Sequence, residues 1–336
     1  MVADAHTDLL LELAYRRRHG GEGDVFGRTW LPLLEAGGVA LQTCPVYVDV
    51  ERQPEGTLRE ALSQVACLHE AARENAGRVT LVRTADDIDA VERGERLGLV
   101  LSLEGVEAFG YDLWPAEVFF ELGMRMASLT WNRRNPFADG AAEDGGGGLS
   151  KLGLRLVDRL VELGVVLDLA HASPRTFAEL LERAAGAPLL VSHAACRAVH
   201  DHPRNLEDDQ LRALAAAGGM LGLMLHPLAI DHEQRTIDRA VDHLEHAAAV
   251  MGRDRIGLGG DFVRRIMEVL PPLPQTPEGL APPGLEPGSA LDGLAGPEDY
   301  PALAAALTAR GWAEADVEAV MGGNLLGFLR RALPDG

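Results

Sequence analysis

The sequence predicts an α/β chain folded as a (β/α)8 TIM-type barrel with a C-terminal helical tail, and three observations predict it. Short apolar runs alternate with amphipathic stretches through most of the chain. The runs are nearly continuous rather than alternating, which is the pattern of parallel strands buried on both faces. Five of them end in His, Asp or Glu, and a barrel of this kind carries its chemistry at the carboxyl ends of its strands. A doubly wound open sheet also alternates in this way, but no Gly-x-Gly-x-x-Gly follows the first run.

The elements follow in order. Val2–His6 and Val39–Tyr47 are the first two strands, each of mostly apolar or small residues. Thr57–Glu74 has helical periodicity and leads to the third strand, Gly98–Leu103. Pro115–Leu122 begins with Pro, which suits the first position of a helix. Arg125–Leu129 is the fourth strand, and Leu149–Leu163 the helix before the fifth, Val165–Ala170. Ser173-Pro174 then opens a helix through Ala185, with Ser as cap and Pro behind it. Pro188–Ser192 is the sixth strand. Leu206 to Asp209 places acidic residues in the first turn of Glu207–Ala217. Met220–Leu225, helix Thr236–Met251 and Arg255–Gly259 complete the series. Asp139–Gly148 reads as a Gly-rich acidic loop. Pro271–Pro301 has no period and reads as a long surface loop, followed by a helical tail, Tyr300–Leu333. One domain spanning 1–336 is expected.

Composition narrows the function. The chain has 336 residues, 47% hydrophobic and 24% charged, the balance of a globular protein with a large core. Lys plus Arg total 31 against 51 Asp plus Glu, a net charge of −20. Such a surface repels nucleic acid and anionic membrane. No apolar run reaches the ~18 residues of a membrane span. Cys44, Cys67 and Cys196 are too scattered for a disulfide framework or a thiolate zinc site. The opening residues lack a basic stretch before an apolar core, so a cytoplasmic protein without a leader is expected.

The strand ends carry the chemistry. The first ends in His6-Thr7-Asp8, the third in Glu104-Gly105, the fifth in Asp168-Leu169-Ala170-His171, the sixth in Ser192-His193 and the eighth in Gly260-Asp261. His6 and Asp8 are two apart, so in extended chain they share a face. Taken singly, each has an ordinary reading: a core histidine with satisfied nitrogens, or a salt-bridged carboxylate at a barrel mouth. Together, three His, one Asp and one Glu at one mouth suffice for two metal ions sharing a carboxylate. Mixed nitrogen and oxygen ligands without thiolate suit zinc, with other divalent metals able to substitute.

These residues carry a resemblance. The chain resembles the membrane dipeptidase (renal dipeptidase) family of zinc dipeptidases, within the amidohydrolase-like metal-dependent hydrolases. The matching stretches, in the family's order, are Asp4-Ala5-His6-Thr7-Asp8-Leu9, Leu103-Glu104-Gly105, Leu129-Thr130-Trp131-Asn132 and Asp168-Leu169-Ala170-His171-Ala172-Ser173. They continue with Val191-Ser192-His193-Ala194, Arg204-Asn205-Leu206, Gly259-Gly260-Asp261-Phe262 and a late Gly322-Gly323-Asn324-Leu325. The resemblance implies hydrolysis of small dipeptides, in some members with a C-terminal D-residue, and two zinc ions per chain. It implies His6 and Asp8 on one zinc, His171 and His193 on the other, and Glu104 bridging them. Arg204 matches a contact to the substrate carboxylate, and Asp261 the acidic residue near the scissile bond and the substrate amine.

Two departures bear on specificity. Where animal members have a substrate-contacting His, this chain has Trp131, whose indole donates one hydrogen bond and cannot exchange protons. It can still wall the pocket. After Asp261, Val263 and Arg264 replace a more usual acidic-Gly pair. On spacing alone, Arg204 also fits a salt bridge with Asp201. Three other readings stay open: a hydrolase of another amide, ester or lactone, a metal-retaining binding protein without catalysis, and a two-metal isomerase. The last is disfavoured because no Lys ends a strand. Oligomeric state is open, a homodimer included. His243 and His246 read as an exposed helical face, and His200 and His202 as loop residues near Arg204.

Overall fold

Nine strands form one sheet among the described residues: β1 (Val2–Asp4), β2 (Val39–Tyr47), β3 (Val79–Leu81), β4 (Leu97–Glu104), β5 (Met124–Ser128), β6 (Val166–Asp168), β7 (Leu189–Ala194), β8 (Met220–Met224) and β9 (Ile256–Gly259). The structure is a computed structural model, and it describes all residues except 21–22, 49–51, 53–55, 144–145, 271–279, 281, 283 and 287. Every strand pairing is parallel. The order β2-β1-β9-β8-β7-β6-β5-β4 is closed by β2 against β4, which gives an eight-stranded barrel. This is the expected (β/α)8 architecture.

β3 was not expected. It pairs with Leu97–Leu99, while β5 pairs with Leu101–Leu103, so the two share one edge of β4 end to end. Helices Leu9–Arg18, Val25–Thr29, Leu31–Ala36 and Ala85–Glu92 are likewise additions to the sequence reading. The expected helix Thr57–Glu74 has those bounds, and Lys151–Glu162, Pro174–Arg183, Asp208–Ala216 and Ile237–Met251 lie within two residues of theirs. Ser173 accepts from the Thr176 N–H ahead of Pro174, as the sequence predicts for a capped start.

The pleat sets what the barrel holds. Ala3, Leu41, Val100, Met126, Val166, Leu190 and Met220 meet in one buried cluster with Leu325, Leu326, Phe328 and Leu329 of the C-terminal helix Asn324–Ala332. That helix therefore plugs the amino end of the barrel. Two residues on, the same inward faces carry Ser102, Ser128, Asp168 and Ser192, all buried. The interior thus changes from apolar to polar along its axis, and the polar end is the carboxyl end.

The tail is helical over Tyr300–Ala309, Glu314–Glu318 and Asn324–Ala332. Tyr300 and Pro301 belong to its first helix rather than to the preceding loop. Much of the expected loop Pro271–Pro301, 271–279 above all, lies outside the described residues, as do 144–145 of the Gly-rich loop. No helix among the described residues is long and apolar enough to cross a membrane.

Candidate metal centre

β1 ends at Asp4, and the chain delivers His6, Thr7 and Asp8 just beyond it. Asp4 holds this corner: its carboxylate accepts from the His6 N–H at 3.0 Å, the Gly260 N–H at 2.8 Å and the Thr7 hydroxyl at 3.1 Å. Asp261 follows Gly260, and its own N–H donates to the His6 carbonyl at 2.8 Å. The ends of β1 and β9 are therefore one unit, and they present His6, Asp8 and Asp261 together. One donor atom from each of these three lies within 4.8 Å of the others, and the same holds for His6, Glu104 and His193.

The arrangement centres on one oxygen. Glu104 Oε1 stands 2.8 Å from His171 Nε2, 3.5 Å from His193 Nε2 and 3.7 Å from His6 Nε2. All four side chains are at most 6% exposed. His6 Nε2 also lies 3.8 Å from Asp8 Oδ2. Asp8 is the most open of the set, at 13%. The structure thus brings together the five residues read from the sequence as metal ligands.

Hydrogen bonds fix the tautomers of two imidazoles. His171 Nδ1 faces Asn132 Oδ1 at 2.7 Å, and an amide oxygen only accepts. The proton is therefore on Nδ1 and Nε2 is bare. Ser192 donates to Asp168 Oδ2 at 2.5 Å, so its Oγ accepts from His193 Nδ1 at 2.8 Å. His193 Nε2 is bare as well. The two bare nitrogens are 2.7 Å apart and both face a carboxylate. His6 Nε2 and Asp8 Oδ1 are buried without a hydrogen-bond partner. The bare nitrogens of His171 and His193 face the Glu104 carboxylate with no protein donor between them, and a cation is what satisfies such a set.

Charge tells the same story. Burial holds His171 and His193 well below the ordinary histidine range, with Arg204 and His6 adding to it. Burial opposes charge on His6 too, but Glu104, Asp8 and Asp261 overcome it and push His6 up to about 10. Burial and Asp8 raise Glu104 far above its usual value. Burial raises Asp261 to about 6, partly offset by His6 and Arg204. A pocket that pushes His6, Glu104 and Asp261 upward is short of positive charge, which divalent ions would supply. The donor set, nitrogen and oxygen without thiolate, fits zinc-type metals.

Backbone strain falls on the same residues. Among the described non-glycine residues, only His171 (φ 64°) and Asp261 (φ 49°) occupy the left-handed region. His and Asp tolerate it better than most, and its local cost concentrates at functional sites. Gly222 and Gly259 line the wall beside β7, where a Cβ on either would collide with the Ser192 carbonyl.

Arg204 does not pair with Asp201, which is held by Arg197 at 2.8 Å. It is 5% exposed, its Nη2 donates to the His193 carbonyl at 3.2 Å, and it faces the charges of Glu104 and Asp261. Burial lowers it to about 10 against the pull of those carboxylates. His202 accepts from the Arg204 N–H through Nδ1 and donates to the Leu280 carbonyl through Nε2. It is a buried brace, not an exposed loop residue. Trp131 is half-buried, packed edge-on to Tyr47 with centroids 5.2 Å apart and 6.0 Å from the His171 ring. It stands beside the histidine cluster. Asn132, Asp168 and Ser192, which orient these rings, have no role in the sequence reading; polar residues within otherwise apolar runs are the signal that marks them.

Residues 1–271 match the family model described as membrane dipeptidase, peptidase family M19. Dipeptidase verJ of Clonostachys rogersoniana is 29% identical over 270 residues, 78% of this chain and 64% of that protein. Dipeptidase 3 of Rattus norvegicus is 29% identical over 342 residues, 98% of this chain and 64% of that protein. The chain thus spans 64% of the length of each of these two curated relatives. Among solved structures, a metallo peptidase from Rhodobacter sphaeroides, liganded with a phosphinate mimic of the dipeptide L-Ala-D-Ala, superposes with a TM-score of 0.83. It is 25% identical, and the match covers 98% of this chain and 99% of that one.

Proposed function

The chain belongs to the membrane dipeptidase family, peptidase family M19, and on that footing we propose that it is a binuclear zinc dipeptidase. The observation that carries this reading is the convergence of His6, His171 and His193 Nε2 on Glu104 Oε1, next to Arg204 and Asp261. His6 and Asp8 would hold one ion, His171 and His193 the other, and Glu104 both. When bound, such ions polarise the scissile carbonyl and lower the pKa of a water from 15.7 to about 7.

The chain's own groups do the rest. Asp261 stands beside His6 and Asp8 and accepts a proton from the attacking water at its carboxylate. The same carboxyl then gives that proton to the leaving amide nitrogen. Arg204, planar and buried, takes the free carboxylate of the substrate in a bidentate grip. Trp131 contributes shape and dryness rather than charge, so orientation at that wall is steric. The dipeptide mimic bound by the Rhodobacter sphaeroides relative supports acceptance of a C-terminal D-residue. A hydrolase of other amides, esters or lactones would use the same metal centre and differ at the rim.

A kinetic screen of the zinc-loaded protein separates these readings. The panel is L-Xaa-L-Xaa and L-Xaa-D-Xaa dipeptides, tripeptides, N-acyl amino acids and lactones. Dipeptides are expected to be cleaved best. Turnover confined to lactones or N-acyl amino acids would contradict the dipeptidase reading.

A further inference from the structure

A second group of nitrogen and oxygen donors lies outside the pocket. His200 comes from the connection after β7. Asp231 and His232 follow the short helix Pro227–Ile230 in the connection after β8. One donor atom from each of the three lies within 4.8 Å of both others. The His200 and His232 ring centroids are 5.3 Å apart, with planes inclined at 60°. His232 Nδ1 is buried and has no hydrogen-bond partner.

The group is held in place before any ligand arrives. Asp231 Oδ1 accepts from the N–H groups of Glu233 and Gln234, both at 2.9 Å, which fixes the carboxylate. Asn205 Nδ2 donates to the His200 and Ala229 carbonyls, at 2.9 and 2.7 Å, and so ties the two connections together. Arg239 reaches Asp231 Oδ2 at 3.2 Å but is shared with Asp242 at 2.8 Å and the Val199 carbonyl at 3.0 Å. A carboxylate oxygen has a second lone pair, so this contact leaves Oδ2 able to bind further. His202 stacks parallel to His200, yet both its nitrogens are engaged, so it is not part of the donor set.

We propose that His200, Asp231 and His232 form a separate site for one divalent transition-metal ion on the rim of the barrel. Two imidazoles and one carboxylate suit zinc, cobalt, nickel or copper and disfavour magnesium or calcium. Three protein ligands leave a coordination position open. A bound ion cross-links the connections that flank Arg204 and Asn205. This site is independent of the dipeptidase reading, because none of its ligands belongs to the pocket.

Equilibrium dialysis against increasing free Zn²⁺, with metal counted per chain, tests it. The proteins are wild type, the folded His200→Ala/His232→Ala variant, His193→Ala and the three-site combination. The rim variant is expected to saturate with one zinc fewer than wild type, and the combination with one fewer than His193→Ala. Excess Mg²⁺ should not displace the rim ion. Equal zinc counts for wild type and the rim variant at every free concentration would overturn the proposal. If the double variant does not fold, the single His200→Gln variant is dialysed in the same way, and an unchanged count there overturns it too.

Discussion

In the proposed reaction, Asp261 is the residue on which proton transfer depends. Burial and nearby carboxylates keep its affinity for a proton near that of a group working close to neutrality. Asp261→Asn keeps the shape and removes the acceptor, so kcat should fall by roughly 10²–10⁴ while zinc content is unchanged. An unaltered kcat would remove Asp261 from the reaction. Arg204 answers a different question. Amidation of a substrate's carboxylate would leave a buried guanidinium unpaired, at a cost on the order of 2–5 kcal/mol. Dipeptides should therefore be preferred to their C-terminal amides, and Arg204→Met should erase most of that preference by slowing dipeptides. Equal kcat/KM for a dipeptide and its amide in the wild type would contradict the role. Arg204 also marks a limit of sequence reading. Its spacing fits a surface pair with Asp201, and only the fold reveals that Arg197 takes that partner.

At the scale of elements, the strand ends were legible and their supports were not. Glu104, His171 and His193 close apolar runs in the sequence, so their position at one mouth follows from the barrel. The hydrogen bonds that orient the rings come from Asn132 and Ser192, and nothing local specifies such partners. β3 was missed because a three-residue strand with one Thr carries almost no periodic signal. His243 shows the same limit on a helix. Its spacing from His246 suggested an exposed face, but its ring is fully buried. Nδ1 accepts from the Cys196 N–H at 3.0 Å and Nε2 donates to the Ile230 carbonyl at 2.9 Å, which requires the neutral form. Burial lowers its pKa to about 4, with Arg239 and His200 adding to the effect and the Ile230 bond and Asp242 opposing it. The unfolded chain, with an ordinary value near 6.5, then binds more protons than the folded one between those limits. The stability owed to neutral His243 is complete above about pH 6.5 and is lost as pH falls towards 4, on the order of 3 kcal/mol in all. His243→Ala should cost about 2–4 kcal/mol at pH 7.5 and progressively less on acidification, read from urea melts. A penalty that grew at low pH would contradict this.

For the whole molecule, the centre joins strands from both halves of the chain. β1 and β9 supply His6, Asp8 and Asp261, β4 supplies Glu104, and β6 and β7 lead to His171 and His193. Ions bound there would link the barrel's carboxyl end, opposite the plug formed by the C-terminal helix. Binding to the folded state alone stabilises it by about 2.7 kcal/mol at a free-ion level 100 times Kd. Chelation should therefore lower the melting temperature reversibly, and zinc should restore it. Identical melting curves with and without chelator would indicate that no ion is held. The fold was readable at this scale because burial on both strand faces and the ordered motifs both pointed to the barrel.

Zinc content after reconstitution and extensive dialysis, measured for wild type and Glu104→Gln, tests the metal centre most directly. Glu104 Oε1 is the atom on which three imidazole nitrogens converge, and its replacement leaves neither proposed ion with a full ligand set. The wild type should retain about two zinc ions per chain at this centre, the number a shared carboxylate serves, apart from any ion on the rim, and folded Glu104→Gln should lose most of those two. A wild type that stays metal-free, or a variant that keeps both ions, would contradict the centre described here.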